Sequence, residues 1–150
     1  MNEFKTVLID TCSRQIAEKM RALEDEMKAL TEAAENDSKS TAGDKHETAR
    51  AMVQLEQERM GKQLKEAQEQ AEEFHRIDFK RLNAHVVPGA LVQTAQGNFL
   101  IAIALGKVVS NGRTVFVISP QSPLGKAFQG LALHDRVSFN GVSYEILSIA

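Results

Sequence analysis

Apolar positions in the first half of the chain recur every three or four residues, at Leu8, Cys12, Ile16, Met20, Leu23, Met27 and Leu30. Such a single stripe marks an amphipathic helix. A second stripe runs through Met52, Leu55, Met60, Leu64, Ala67, Ala71, Phe74 and Ile77. Its five-residue step from Leu55 to Met60 breaks the heptad phase as a stutter does. The two stretches, residues 4–34 and 48–79, flank a polar segment, 36–43, rich in turn formers. Each stripe is too narrow to be buried alone. The spacing therefore predicts an antiparallel coiled-coil hairpin, on the order of 45 Å long at 1.5 Å per residue. An intermolecular coiled coil satisfies the same periodicity. Glu24–Lys28 and Glu58–Lys62 are placed to pair at i,i+4 on the exposed faces.

From Val86 the grammar changes. Val87-Pro88-Gly89 marks a boundary, and apolar or alternating runs follow at 90–95, 99–105, 114–118, 136–139 and 142–149. Turn signals at Gln96-Gly97-Asn98, Ser110-Asn111-Gly112 and Asn140-Gly141 separate them, the last reading as a two-residue type I′ hairpin. Ser122 followed by Pro123 reads as an N-cap and first helical residue, opening a short helix that passes Phe128 and stops at Gly130. The expectation is an α+β protein. A helical hairpin occupies 1–83, with its tip near 36–47, and an antiparallel sheet of four or five strands with one short helix occupies 84–150.

Charge sharpens that division. Residues 1–83 carry 14 basic and 18 acidic side chains, whereas 84–150 carry 4 and 2, so the halves are built on different principles. The net charge of −2 gives no global pull towards nucleic acid or an anionic membrane. Cys12 is the single cysteine, which excludes an intramolecular disulfide. No leader-like apolar region opens the chain and no stretch approaches the roughly 20 apolar residues that span a bilayer. A cytoplasmic protein with no membrane partner is expected. The second half has no glycine-rich phosphate loop, no Cys/His metal spacing and no nucleophile–base pair, so it reads as a docking domain rather than an enzyme.

The chemistry concentrates at Asp44-Lys45-His46-Glu47, where the second helix should begin. Spacing i,i+3 sets Asp44 and Glu47 on one helix face. Acids in a first turn are also favoured by the helix dipole, by about 0.3–1 kcal/mol, with Thr41 available as cap. His46 reads as a solvated side chain, since residues of one turn rarely converge on a metal unaided. Lys45 and Arg50 either decorate a polar tip or reach RNA phosphate. Cys12 reads as a small core residue.

A tip of the form Gly-Asp-x-x-Glu (Gly43–Glu47), followed in order by Ser-Pro-Leu-Gly-Lys-Ala-Phe-x-Gly within 118–137, resembles the GreA/GreB transcript cleavage factors. The resemblance covers nearly the whole chain in layout. It implies an FKBP-like second domain that docks on bacterial RNA polymerase, and a coiled coil inserted into the polymerase secondary channel. It also implies a monomeric elongation factor rather than an enzyme, acting at the nascent RNA 3′ end. Asp44 and Glu47 match the two acids that help hold the second Mg²⁺ of the polymerase active site and promote cleavage of backtracked RNA. The resemblance implies no ion bound tightly by the free protein. Gln121, Ser122 and Pro123 match the rim-binding positions. Two departures stand out: Thr48-Ala49-Arg50-Ala51 replaces the usual Asn-Ala-Glu-Tyr after Glu47, and Gln121 replaces the usual Asp. Members of the wider superfamily occupy the same channel without cleaving RNA, so a regulatory paralogue is the alternative, as is a structural coiled-coil adaptor.

Overall fold

The computed structural model describes the backbone of residues 2–40 and 44–150, and the side chains of 2–36 and 47–150. Its elements are α1 (Glu3–Ser40), α2 (Asp44–Arg76), β1 (Leu91–Thr94), β2 (Gly97–Ile101), β3 (Gly106–Ser110), β4 (Arg113–Ile118), α3 (Pro123–Phe128), β5 (Arg136–Phe139) and β6 (Val142–Ile149). The fold is α+β, two long packed helices followed by a six-stranded mixed sheet with one short helix. Packing divides the chain into two compact units, Gln15–Ala71 and the combination of Met1–Arg14 with Glu72–Ala150.

In the first unit the helices pair antiparallel. Gln57 Nε2 donates to Thr31 Oγ1 at 3.4 Å, and one turn away Met27 Cε lies 3.7 Å from where a Cβ on Gly61 would stand. The α1 stripe holds: Ile16 is buried, and Met20, Leu23, Met27 and Leu30 are partly covered. The α2 stripe holds only from Met60 onward. Met52 and Leu55, expected inside, are about two-thirds exposed, and Val53, Glu56 and Gln57 take the inward positions instead. Helical geometry explains the correction. Positions 53, 56 and 57 lie three, four or seven residues from Met60, whereas a five-residue step turns Leu55 about 140° away.

Helix α1 continues to Ser40, so 36–40, expected as turn, are helical. Once a helix is nucleated each added residue gains a hydrogen bond, which outweighs the weak preference of Asn, Asp and Ser. Helix ion pairs form at Arg14–Asp10 (3.2 Å), Arg76–Glu72 (3.6 Å) and Arg59–Glu56. The pairs expected at Glu24–Lys28 and Glu58–Lys62 do not form. Such pairs are worth only about 0.3–0.5 kcal/mol on an exposed face, too little to fix long side chains.

In the second unit the strand order is β3-β4-β2-β1-β6-β5. All neighbours are antiparallel except β2 and β4, which run parallel with Phe99 beside Phe116. The wholly antiparallel sheet expected from sequence is thereby corrected. The 99–105 run ends as a strand at Ile101, and an additional strand, β3, returns along the outer edge before β4 folds inward beside β2. The β3–β4 and β5–β6 turns are Asn-Gly pairs with positive φ at both residues, 49° and 74° at Asn111-Gly112 and 49° and 76° at Asn140-Gly141. Those are the type I′ conformations whose twist matches flanking strands.

Both faces of this sheet are covered. One carries α3, whose Phe128 packs with Phe99 (5.1 Å) and Tyr144 (5.3 Å) over Val92, Ile101 and Ile146. The other meets the N-terminal end of α1. Thr11 Oγ1 lies 3.5 Å from Ser110 Oγ, and the Arg113 guanidinium stacks over the Phe4 ring at 4.9 Å. Strand alternation then turns Val108, Val115 and Val117 to that same face, and all three are buried.

Candidate functional site

The two sequence-expected sites lie on different units. At the start of α2, Glu47 and Arg50 are exposed and one turn apart. The side chains of Asp44, Lys45 and His46, like Thr41, lie outside the described residues. One described carboxylate is not a metal site, and among the described residues no three His, Cys, Asp or Glu side chains could together hold an ion. Cys12 is buried on α1 and burial pushes its thiol up to about 11, so it is an inert core residue.

The second site is built around the start of α3. Ser122 has extended backbone (φ −65°, ψ 156°), and its Oγ accepts from Gly125 N at 3.1 Å while donating to Ser119 O at 2.6 Å. Ser119 O also accepts from Ser122 N at 3.0 Å. The hydroxyl of Ser119 in turn donates to Gln121 Oε1 at 2.8 Å and accepts from Gln121 N at 3.1 Å. The 119–125 corner is therefore a closed hydrogen-bonded loop. Ser122 spends its proton inside it, while Gln121 and Pro123 remain exposed. A partner meets chiefly a preset Gln121 amide and the Pro123 ring. Ser122→Ala is expected to cost about 1 kcal/mol, as loss of an N-cap does. Thermal denaturation of the variant checks it, and Ser122→Thr, which keeps a hydroxyl to accept from Gly125 N and donate to Ser119 O, should lose less.

Sequence reasoning missed two residues that matter here. Gly125 sits inside the corner, where a Cβ would stand 2.1 Å from Ser119 O and 2.9 Å from Ser122 Oγ. Its signals were its place in the Ser-Pro-Leu-Gly motif and in the middle of a short helix, and neither shows how close the Ser119 carbonyl comes. Lys5 is 1% exposed, and its Nζ donates to Phe79 O at 2.7 Å and Ala150 O at 2.9 Å. No local pattern marks it, because both acceptors are distant in the chain.

A shallow cleft of about 350 Å³ opens beside the end of α2, lined by Arg76, Ile77, Arg81 and Pro88 with Glu73 and Asp78. Its lining sets two arginines beside two carboxylates. No helix among the described residues is long and apolar enough to cross a membrane. No family model matches the chain, and no curated protein matches it.

Proposed function

We propose that the chain is an RNA polymerase-binding elongation factor of the Gre type, which promotes cleavage of backtracked RNA by the polymerase itself. The observation that carries this reading is the pairing, on one chain, of a helical hairpin with an acid-bearing start to α2 and a separate sheet unit displaying the rigid Gln121–Pro123 corner. The division of labour follows from the physics of each part. The corner, closed by internal hydrogen bonds, offers a preorganised surface and loses little entropy on docking. Asp44 and Glu47 stand three residues apart in the first turn of α2.

A second Mg²⁺ at a phosphoryl-transfer centre stabilises the attacking and leaving oxygens, and hard carboxylate oxygens suit it. In this reading Glu47 and Asp44 supply those oxygens from outside, and the polymerase contributes the remaining ligands and the RNA. Arg50, exposed one turn after Glu47, brings a cation where the family usually has an acid. That observation supports a second reading, a paralogue that occupies the channel and slows nucleotide addition without cleavage.

The test is cleavage in a stalled, backtracked complex. The wild type should shorten the RNA from its 3′ end, and Asp44→Asn/Glu47→Gln should lose at least about tenfold of that stimulation, or 1.4 kcal/mol, while still binding polymerase. Binding without stimulation by the wild type selects the second reading. Equal stimulation by the double variant removes the proposed role of the acids.

A further inference from the structure

Near the start of α2 the apolar stripe and the covered face of the helix part company. Gln57 Nε2 donates to Thr31 Oγ1 across the helix pair, Val53 is partly covered, and Glu56, its side chain 42% exposed, pairs with Arg59 of its own helix. On the outside of the same two turns stand Met52 and Leu55, 67% and 66% exposed. Burying those two would satisfy the hydrophobic effect better. Places where a chain departs from its own apolar pattern are the places to look for a function.

The geometry points to Met52 and Leu55 as an apolar anchor that seats on a nonpolar protein surface lining the channel into which the tip is inserted. The inference rests on the proposed polymerase reading and adds a contact surface to it. Two arguments select this occupant over a second copy of the chain. Two side chains cover far less than the ~800 Å² per partner that a stable interface buries, so the pair suits an auxiliary contact in a complex held elsewhere. The pair also lies within about two helical turns of Glu47, on the part of the hairpin that such a complex encloses. At about 100° per residue, Met52 and Leu55 point roughly 110° around α2 from Glu47, and a similar angle from the Val53–Met60 inner face.

The experiment uses the full chain with Met52→Gln/Leu55→Gln and, as a conservative control, Met52→Leu/Leu55→Met. Affinity for polymerase and RNA cleavage are measured with helix content and melting temperature. The glutamine variant should keep its fold, since both side chains are already exposed. It should bind polymerase about tenfold or more weakly, with cleavage recovering at saturation, and the conservative variant should match the wild type. Wild-type and glutamine variants binding equally well would overturn the anchor and leave the polymerase reading standing. A wild type that does not bind polymerase overturns both. Concentration-dependent dimerisation by sedimentation that the glutamine variant abolishes would assign the face to a second copy, and so overturn the inference.

Discussion

Gly125→Ala is expected to be among the most damaging single-methyl changes this chain can suffer, lowering stability by at least ~3 kcal/mol. The new Cβ would meet Ser119 O at 2.1 Å, a distance no relaxed structure tolerates. Side-chain rotation cannot relieve it because the obstacle is backbone. Moving that carbonyl would break the bonds it accepts from Ser122 N and Ser122 Oγ, and with them the cap of α3. Loss of α3 then exposes Phe128, which is fully buried against Phe99 and Tyr144. Tyr144 is the only tyrosine and tryptophan is absent, so its fluorescence and near-ultraviolet dichroism report this corner directly. A fall in melting temperature of roughly 6–12 °C is expected, with loss of the tyrosine dichroism. Gly130→Ala makes the contrast. Its φ of +79° disfavours a side chain, but nothing lies within 4 Å, so about 1–2 kcal/mol is expected. If Gly125→Ala melts with Gly130→Ala or above it, the corner is softer than its geometry implies.

The same corner shows how far sequence carries. Ser122-Pro123 announced a capped helix because capping is local chemistry, read from adjacent residues, and α3 begins where it should. Asn140-Gly141 announced a hairpin for the same reason. Strand β3 was not legible, since Gly106–Ser110 is a short edge strand with only Val108 and Val109 apolar, and pairing rather than composition makes it a strand. The parallel β2–β4 pair was equally hidden, because strand order is set by long-range packing. The inner face of α2 was misread over 52–55 because counting apolar residues ignored the phase imposed by Met60. At the candidate site, Glu47, Arg50, Gln121 and Pro123 are exposed. That Ser122 spends its hydroxyl internally could not be foreseen, as it depends on where Ser119 O lies.

Lys5 offers the other large effect, and its size changes with the substitution and the pH. The ammonium is almost wholly buried, with Phe79 O and Ala150 O as acceptors, and Ala150 O also receives Leu91 N at 2.8 Å. One side chain thus ties the first turn of α1 to the segment after α2 and to the end of β6. Lys5→Ala removes the four-carbon stem from a packed site and leaves Phe79 O without its donor, for an expected loss of about 3 kcal/mol. Lys5→Met restores most of the volume and should lose clearly less. Desolvation lowers the lysine below its ordinary value of 10.5, and the nearby Asp78 carboxylate opposes only part of that. Between the lowered folded value and 10.5 the unfolded chain therefore holds more proton than the folded one. Stability contributed by Lys5 rises with pH across that window, and burial of the charge is a cost at neutral pH. Denaturant titrations from neutral pH towards 10.5 should show the wild type gaining on Lys5→Met as pH rises. Parallel curves for the two proteins would mean that the Lys5 ammonium is as well solvated by its carbonyls as by water, and the latch would then be a matter of packing alone.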